Sequence, residues 1–555
     1  MKKFTAILLA VVMLFALSAS AFAATNSLET DYAIGDGLGV SVDLDIEGMY
    51  FDVNDILNTA TNGYYPFSFS LIVSNRANVA SVTVSNGGSF HWAYAQNADG
   101  SYVTDEDGNY VESTTTNYGV VVLPTTSAST VTVTGTGNIG SATFNCAQPS
   151  GGTTAAGASL YAYLPAPAQF VNEGVTTGGW GDAYDSNGAV KATSSTGVSL
   201  GFFGGYAVYE FENPIADDPT HPYGADFIVY GNAFWNNSEA GCIQVSKDGA
   251  TWYDIAGSMY YTKSTKGATI TYTNPSTSED AGITAAGTNL GTLAPVNYTL
   301  NGTAGTVTTN TFHNHSWFPL NANYFTASGS RAAMAKLDEF SFVSRTLASN
   351  GVTNTLTFTG TLLTDYPGTG KTDQIGFGYC DVHPNKTLGG TIAYNPYQTF
   401  TSSSDYDTKV AGTSGGDPID IAWAVKSNGT PANLDSIRYV RIYTGMAQMN
   451  GIFGEISTEV CGVAACTGST TETAATPTIS VDGSTVTTTN GGILPLSKKS
   501  GDYTVNVTGT GYVYINGVAT TSATITPTRT GTKVQIIVQN GEAAPYVTYL
   551  NLQKK

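Results

Sequence analysis

Basic residues are scarce in this chain. Its 555 residues include 22 Lys and Arg against 42 Asp and Glu, a formal net charge of −20. Lys2 and Lys3 belong to an N-terminal segment that holds no acid, and without them 20 basic residues face 42 acidic ones, or −22. A surface of that sign repels phosphate backbones and anionic lipid, so nucleic-acid partners are not expected. It suits divalent cations and neutral sugars. Long apolar runs are also missing: past the N-terminus nothing approaches the roughly 20 residues needed to span a bilayer, so membrane insertion is not expected. There are only five histidines and five cysteines. None of the histidines sits in the A-A-H-C setting of a chymotrypsin-like base, and Gly412–Gly416 (GTSGG) carries Thr413 where that family has Asp. Pro367–Thr372 (PGTGKT) has Asp365 in place of the first glycine of a phosphate loop. Helical periodicity is weak throughout, apart from the N-terminus and Ser330–Leu337.

What is abundant is Gly, Thr, Ser, Asn and aromatic residues in short β-like runs. Lys2-Lys3, the apolar Ala6–Leu17 and Ala21-Phe22-Ala23 read as a secretory signal over residues 1–23, so a secreted or cell-surface location is expected. Residues 24–147 form a first β domain, in which Val40, Val42, Leu44 and Ile46 alternate with Ser41, Asp43, Asp45 and Glu47. The Asp105/Asp107/Asn109 spacing fails the EF-hand pattern and reads as a solvated turn. A small-residue linker, 148–158, leads to a central region over 159–466. Its opening core holds strand-like runs at Ala207–Phe211, Ala225–Phe234 and Cys242–Ser246. The unbroken apolar run Phe227–Tyr230 predicts a central strand covered on both faces. Residues of about 260–350 are weakly patterned and read as an insertion or extended loops. Strands resume at Thr355–Leu363, Ile375–Tyr379 and Ser436–Tyr443. A second linker, 467–477, is disordered by composition, and 478–555 fits an immunoglobulin-like sandwich. The fold class is all-β and multidomain, with a central jelly-roll-like sandwich.

In an oxidising compartment Cys461 and Cys466 are close enough in sequence for a local bridge. Cys242 and Cys380 lie in two separate sandwich segments that they could staple, which leaves Cys146 over. Candidate metal ligands are Asp226 and Asn232 in GADFIVYGN, Asp381 in GYCDVHP, and Asp417 and Asp420 in GGDPIDI. Hard oxygens in Gly-rich loops suit calcium as a structural cofactor; the alternative is that Asp226 and Asp420 cap turns. His313 and His315 read as exposed loop residues. Trp252 and Trp423 fall in strand-like runs and read as core. Trp180 in GGWGD, and Trp235 followed by Asn236 and Asn237, are the candidate ligand-binding residues: aromatic faces stack on sugar rings and amides bind the hydroxyls.

Leu164–Gly174, Gly178–Tyr184, SLGFFGGYAVYEFENPI, GADFIVYGNAF, VSKDGATWYDIAGS, Phe377–Asn385, GGDPIDIAWAV and SIRYVRIYTG together resemble bacterial cell-surface proteins with a galactose-binding-like jelly roll. The likeness extends over about Leu164–Val460. The DG-x-x-W turn and the IRYVRI strand are similar to discoidin and carbohydrate-binding modules. The resemblance implies non-catalytic binding of glycan or another surface polymer through loops at one end of the sandwich, with a structural calcium, and it supports the Cys242–Cys380 pairing. Two alternatives stand beside it. One is an S-layer or filament component that self-associates; the other is a glycosidase using Asp417 and Asp420.

Overall fold

A computed structural model describes residues 32–35, 38–43, 68–95, 103, 105, 111–123, 128–146, 157–168, 198–235, 238–273, 295–308, 343–347, 353–364, 376–450, 454–487, 490–496 and 501–554. The signal segment, Ser330–Leu337, Pro367–Thr372, His313, His315, Trp180, Asn236 and Asn237 lie outside these residues. The regular structure among the described residues is almost all strand, as the composition predicts, with a single α-helix.

The N-terminal domain pairs two antiparallel sheets around its own core of Val73, Val121, Val131 and Phe144. The Ser129–Gly135 strand shows how: burial alternates strictly along STVTVTG, valines inward and threonines outward. The C-terminal domain is likewise a sandwich, a four-stranded against a five-stranded sheet around Val505, Ile536 and Leu552.

The central domain is built on a six-stranded antiparallel sheet. Its order is Ala424–Val425, Tyr253–Ile255, Gly241–Ser246, Ser436–Thr444, Tyr206–Ala216, Ser159–Leu164. Phe227–Tyr230 is fully buried and central, as expected, but in a smaller sheet between Asp417–Ile419 and Gly462–Ala465. Its alternation is hidden because both faces are dry. Phe227 and Val229 enter the main core, while Ile228 and Tyr230 enter a second cluster with Ala225, Ala393 and Ala464.

Four expectations are corrected. Among its described residues the 260–350 segment is sheet rather than extended loop: Ser264–Thr273, Val296–Leu300, Thr303–Val307 and Val343–Leu347 join Thr353–Leu363 in a five-stranded antiparallel sheet. That sheet packs on the six-stranded one, where Thr361 N–H donates to Tyr443 Oη at 2.7 Å and Cys242 Sγ to the Thr361 carbonyl at 3.4 Å. Of the expected strand Ile375–Tyr379, the described residues 376–379 form none; Gly376 and Gly378 take positive φ there. A short α-helix, Ser403–Lys409, is capped by Ser402 and held by buried Tyr406. The 467–477 linker is extended and tied down: Thr467 N–H donates to the Gly390 carbonyl, Thr470 N–H to the Thr220 carbonyl, and Glu472 Oε2 accepts from Glu542 N–H.

Both proposed disulfides are absent, and all five cysteines are free thiols. Cys461 and Cys466 flank the extended Gly462–Ala465 strand, and five residues of strand span about 16 Å, far beyond bridging reach. Cys380 lies opposite Gly241, with its Sγ where a Gly241 side chain would project (2.5 Å from a Cβ there). Cys242, the next residue along, points to the other face of the strand.

The flanking domains dock on the central one. Tyr514 packs on Phe377 at 5.2 Å between ring centres, Gln535 Nε2 donates to the Ala256 carbonyl, and Asn395 Nδ2 to Gln539 Oε1. The first and last strands of the central domain also meet: Gly157 bridges Ala464, and Ala158 N–H donates to the Val463 carbonyl at 2.8 Å.

Candidate functional site

Asp226 precedes the Phe227–Tyr230 strand and Asn232 follows it, so about 20 Å of extended chain separates them. The five expected metal ligands therefore do not share a shell. They divide among three places.

At one end of the strand, Asp381 meets Glu239 and Glu459. One oxygen from each carboxylate lies within 4.8 Å of the others. Asp381 adopts φ +58 and is fixed by two amides: Oδ1 accepts from Asn232 N–H at 2.7 Å and Oδ2 from Glu459 N–H at 3.1 Å. Glu239 N–H donates to the Asp381 carbonyl at 3.0 Å. Ser199 Oγ donates to Glu459 Oε1 at 2.9 Å, and the Asn232 side chain also bonds Glu459. Burial, then the Glu459 and Asp381 charges, pushes Glu239 far above the carboxylate range. Burial, then the Glu459 charge, does the same to Asp381. Burial lifts Glu459 to about 7. No Lys or Arg pairs with this triad among the described residues. Such a group must hold protons or a cation, and its hard oxygens fit calcium.

At the other end, Asp226 and Asp420 meet Asp217, again within 4.8 Å. Here a histidine faces the carboxylates, His221 Nδ1 lying 3.2 Å from Asp226 Oδ1, and that bond favours its protonated form. Asp226 Oδ2 accepts from Ile421 N–H, and Asp420 Oδ1 from Ala422 N–H as the cap of a 3-10 turn. Capping, the alternative reading, holds for Asp420; Asp226 instead accepts from Asp218 N–H and Ile421 N–H, residues that are not in its own turn. Burial and the Asp226 charge raise Asp217 to about 7.

Asp417 stands apart. Its Oδ1 lies 2.9 Å from His383 Nδ1, and Oδ2 accepts from Val382 N–H. His383 stacks on Tyr406, its Nε2 has no hydrogen-bond partner, and Tyr394 and Phe400 close the pocket edge-on. Asp417 and Asp420 thus take separate partners.

The ten residues 231–240 leave the Phe227–Tyr230 strand at Gly231 and return to the sheet at Gly241. Asn232 and Glu239 stand near the two ends of this loop, and Phe234 and Trp235 between them. Trp235 is half-buried against Phe400 and Tyr406, at 6.4 and 6.3 Å between ring centres. Phe234 is 66% exposed and is the ring offered to solvent. Trp252 and Trp423 are core, as expected.

Sequence reading missed Asp217, Glu239, Glu459 and Phe234. A signal existed for Glu459: a carboxylate between Ile456 and Val460 in a strand-like run has to be paired or neutralised.

No protein-family model and no curated relative matches the sequence. Among solved structures, a Ca2+-stabilized adhesin that helps an Antarctic bacterium reach out and bind ice is similar at 12% identity, over 87% of this chain and 92% of that one. The TM-score is 0.09, and a likeness at that level carries no argument. No helix among the described residues is long and apolar enough to cross a membrane.

Proposed function

We propose that this is a non-catalytic extracellular binding protein of the galactose-binding-like group, in which calcium fixes an aromatic loop that grips a glycan or similar neutral surface polymer. One observation carries the reading: the residues at both ends of the 231–240 loop are tied to the same carboxylates. Asn232 N–H bonds Asp381 and its side chain bonds Glu459, while Glu239 joins both in the triad. Calcium held by Glu239, Asp381 and Glu459 would supply the positive charge that those oxygens lack. The loop between is then pinned at two points, and the Phe234 and Trp235 rings are presented without paying ordering entropy on binding. Neutral sugars suit an acidic surface that carries exposed rings.

Co-sedimentation of the full chain with insoluble polysaccharides, in calcium and in EDTA, tests this. Binding should weaken in EDTA. Phe234→Ser should weaken it about tenfold or more at an unchanged melting temperature, because the ring is solvent-exposed. Equal sedimentation of wild type and Phe234→Ser, or indifference to EDTA, would overturn the reading.

A further inference from the structure

His91 belongs to Ser89–Trp92, the edge strand of the five-stranded N-terminal sheet, and it reaches the central domain. Its Nε2 lies 2.8 Å from Asp248 Oδ2, and its Nδ1 lies 3.0 Å from the Trp92 carbonyl oxygen. Carboxylate and carbonyl are both acceptors. A neutral imidazole has a single N–H, so both bonds are made together only when the ring carries two protons. The partner carboxylate is held in place: Asp248 Oδ1 accepts from Ala250 N–H at 2.8 Å and Thr251 N–H at 2.7 Å, in the turn after Gly241–Ser246. Tyr94 stacks on His91 at 4.6 Å, and its hydroxyl accepts from Thr251 Oγ1 at 2.9 Å.

We propose that His91 and Asp248 form a proton-controlled latch between the N-terminal and central domains, closed while the imidazole is doubly protonated and loosened when it loses one proton. The groups facing the pair are few. Tyr94 and Glu112 come from the N-terminal domain, Thr251 and Tyr253 from the central one. Arg76 lies over the adjacent Trp92 ring, 4.3 Å from its centre. Burial opposes the charge on His91, but the bond to Asp248 and its charge outweigh that and raise His91 above the ordinary 6.5. Burial likewise opposes ionisation of Asp248, yet His91 and the turn amides hold it at about 2. Between mildly acidic and mildly alkaline pH, therefore, only the histidine changes charge. The latch is fully engaged below the undocked histidine value and is lost as pH rises through the higher docked value.

Two measurements on the full chain decide it. An NMR titration of the His91 ring should give a midpoint above 6.5, falling in Asp248→Asn. Small-angle scattering should show the wild type expanding between about pH 6 and about pH 9, and His91→Gln expanded at both. A wild-type midpoint at or below 6.5 would overturn the latch even if the variants fail to fold. So would His91→Gln retaining the wild-type pH response.

Discussion

If the triad holds calcium as proposed, stability in its absence should fall with pH, and adding the ion should cancel that fall. Glu459 has an ordinary value of 4.5 and is raised to about 7, first by burial. The folded state therefore favours the protonated acid. Its contribution is present below the unfolded value and disappears as pH climbs through the folded one. Each tenfold difference in proton affinity amounts to about 1.4 kcal/mol, so Glu459 alone loses roughly 3 kcal/mol across that window. At about 2 °C per kcal/mol for a domain of this size, the melting temperature in EDTA should drop by roughly 6 °C between about pH 4.5 and about pH 7. Glu239 and Asp381 shift in the same direction and add to the drop. The proposed calcium would bind the ionised form. At a hundred times its dissociation constant it returns about 2.7 kcal/mol, roughly 5 °C, and it does so at neutral rather than acid pH. Scanning calorimetry of the full chain in EDTA and in calcium, at both pH values, reads this directly, and Glu459→Gln should flatten both responses. If the EDTA and calcium curves coincide at neutral pH, the triad holds protons rather than metal and the reasoning fails.

Two further outcomes follow from the packing. Gly241→Ala should destabilise the central domain by about 1–3 kcal/mol, read as a lowered urea midpoint, because the new Cβ would sit 2.5 Å from Cys380 Sγ and 2.7 Å from Thr458 Cγ2. Mass spectrometry after alkylation in denaturant without reductant should find all five cysteines modified. In the native state Cys146, which burial pushes up to about 12, should resist the same reagent.

Strands with one dry face were legible from the sequence, and so was the doubly buried Phe227–Tyr230. The Ser264–Thr273 sheet was not, although its alternation is intact: Ala268, Ile270 and Tyr272 turn inward. Between them, Thr269 and Thr271 face Thr359 and Thr357 across the strands at 3.2 and 2.8 Å. Threonine is at once polar and strand-forming, so a Thr-rich outer face looks like loop composition. The helix at Ser403–Lys409 escaped because a single apolar side chain, Tyr406, anchors it. The triad was hidden for a topological reason. Glu239, Asp381 and Glu459 are brought together by the Gly241–Cys380 bridge and the Val198–Val460 pairing, contacts between segments more than 100 positions apart that no local pattern announces. Asp226 and Asp417 drew attention by standing near glycine, which marks turns as readily as it marks ligand loops.

The hydrogen bond from Ala158 to Val463 has a mechanical meaning. The polypeptide comes into the central sandwich and departs from it at neighbouring points. Tension between the outer modules would run across that short clasp, bypassing the several hundred residues between. While the docking contacts of the outer modules hold, they share that load; once they part, the sandwich would hang from the line of force like a pendant on a chain.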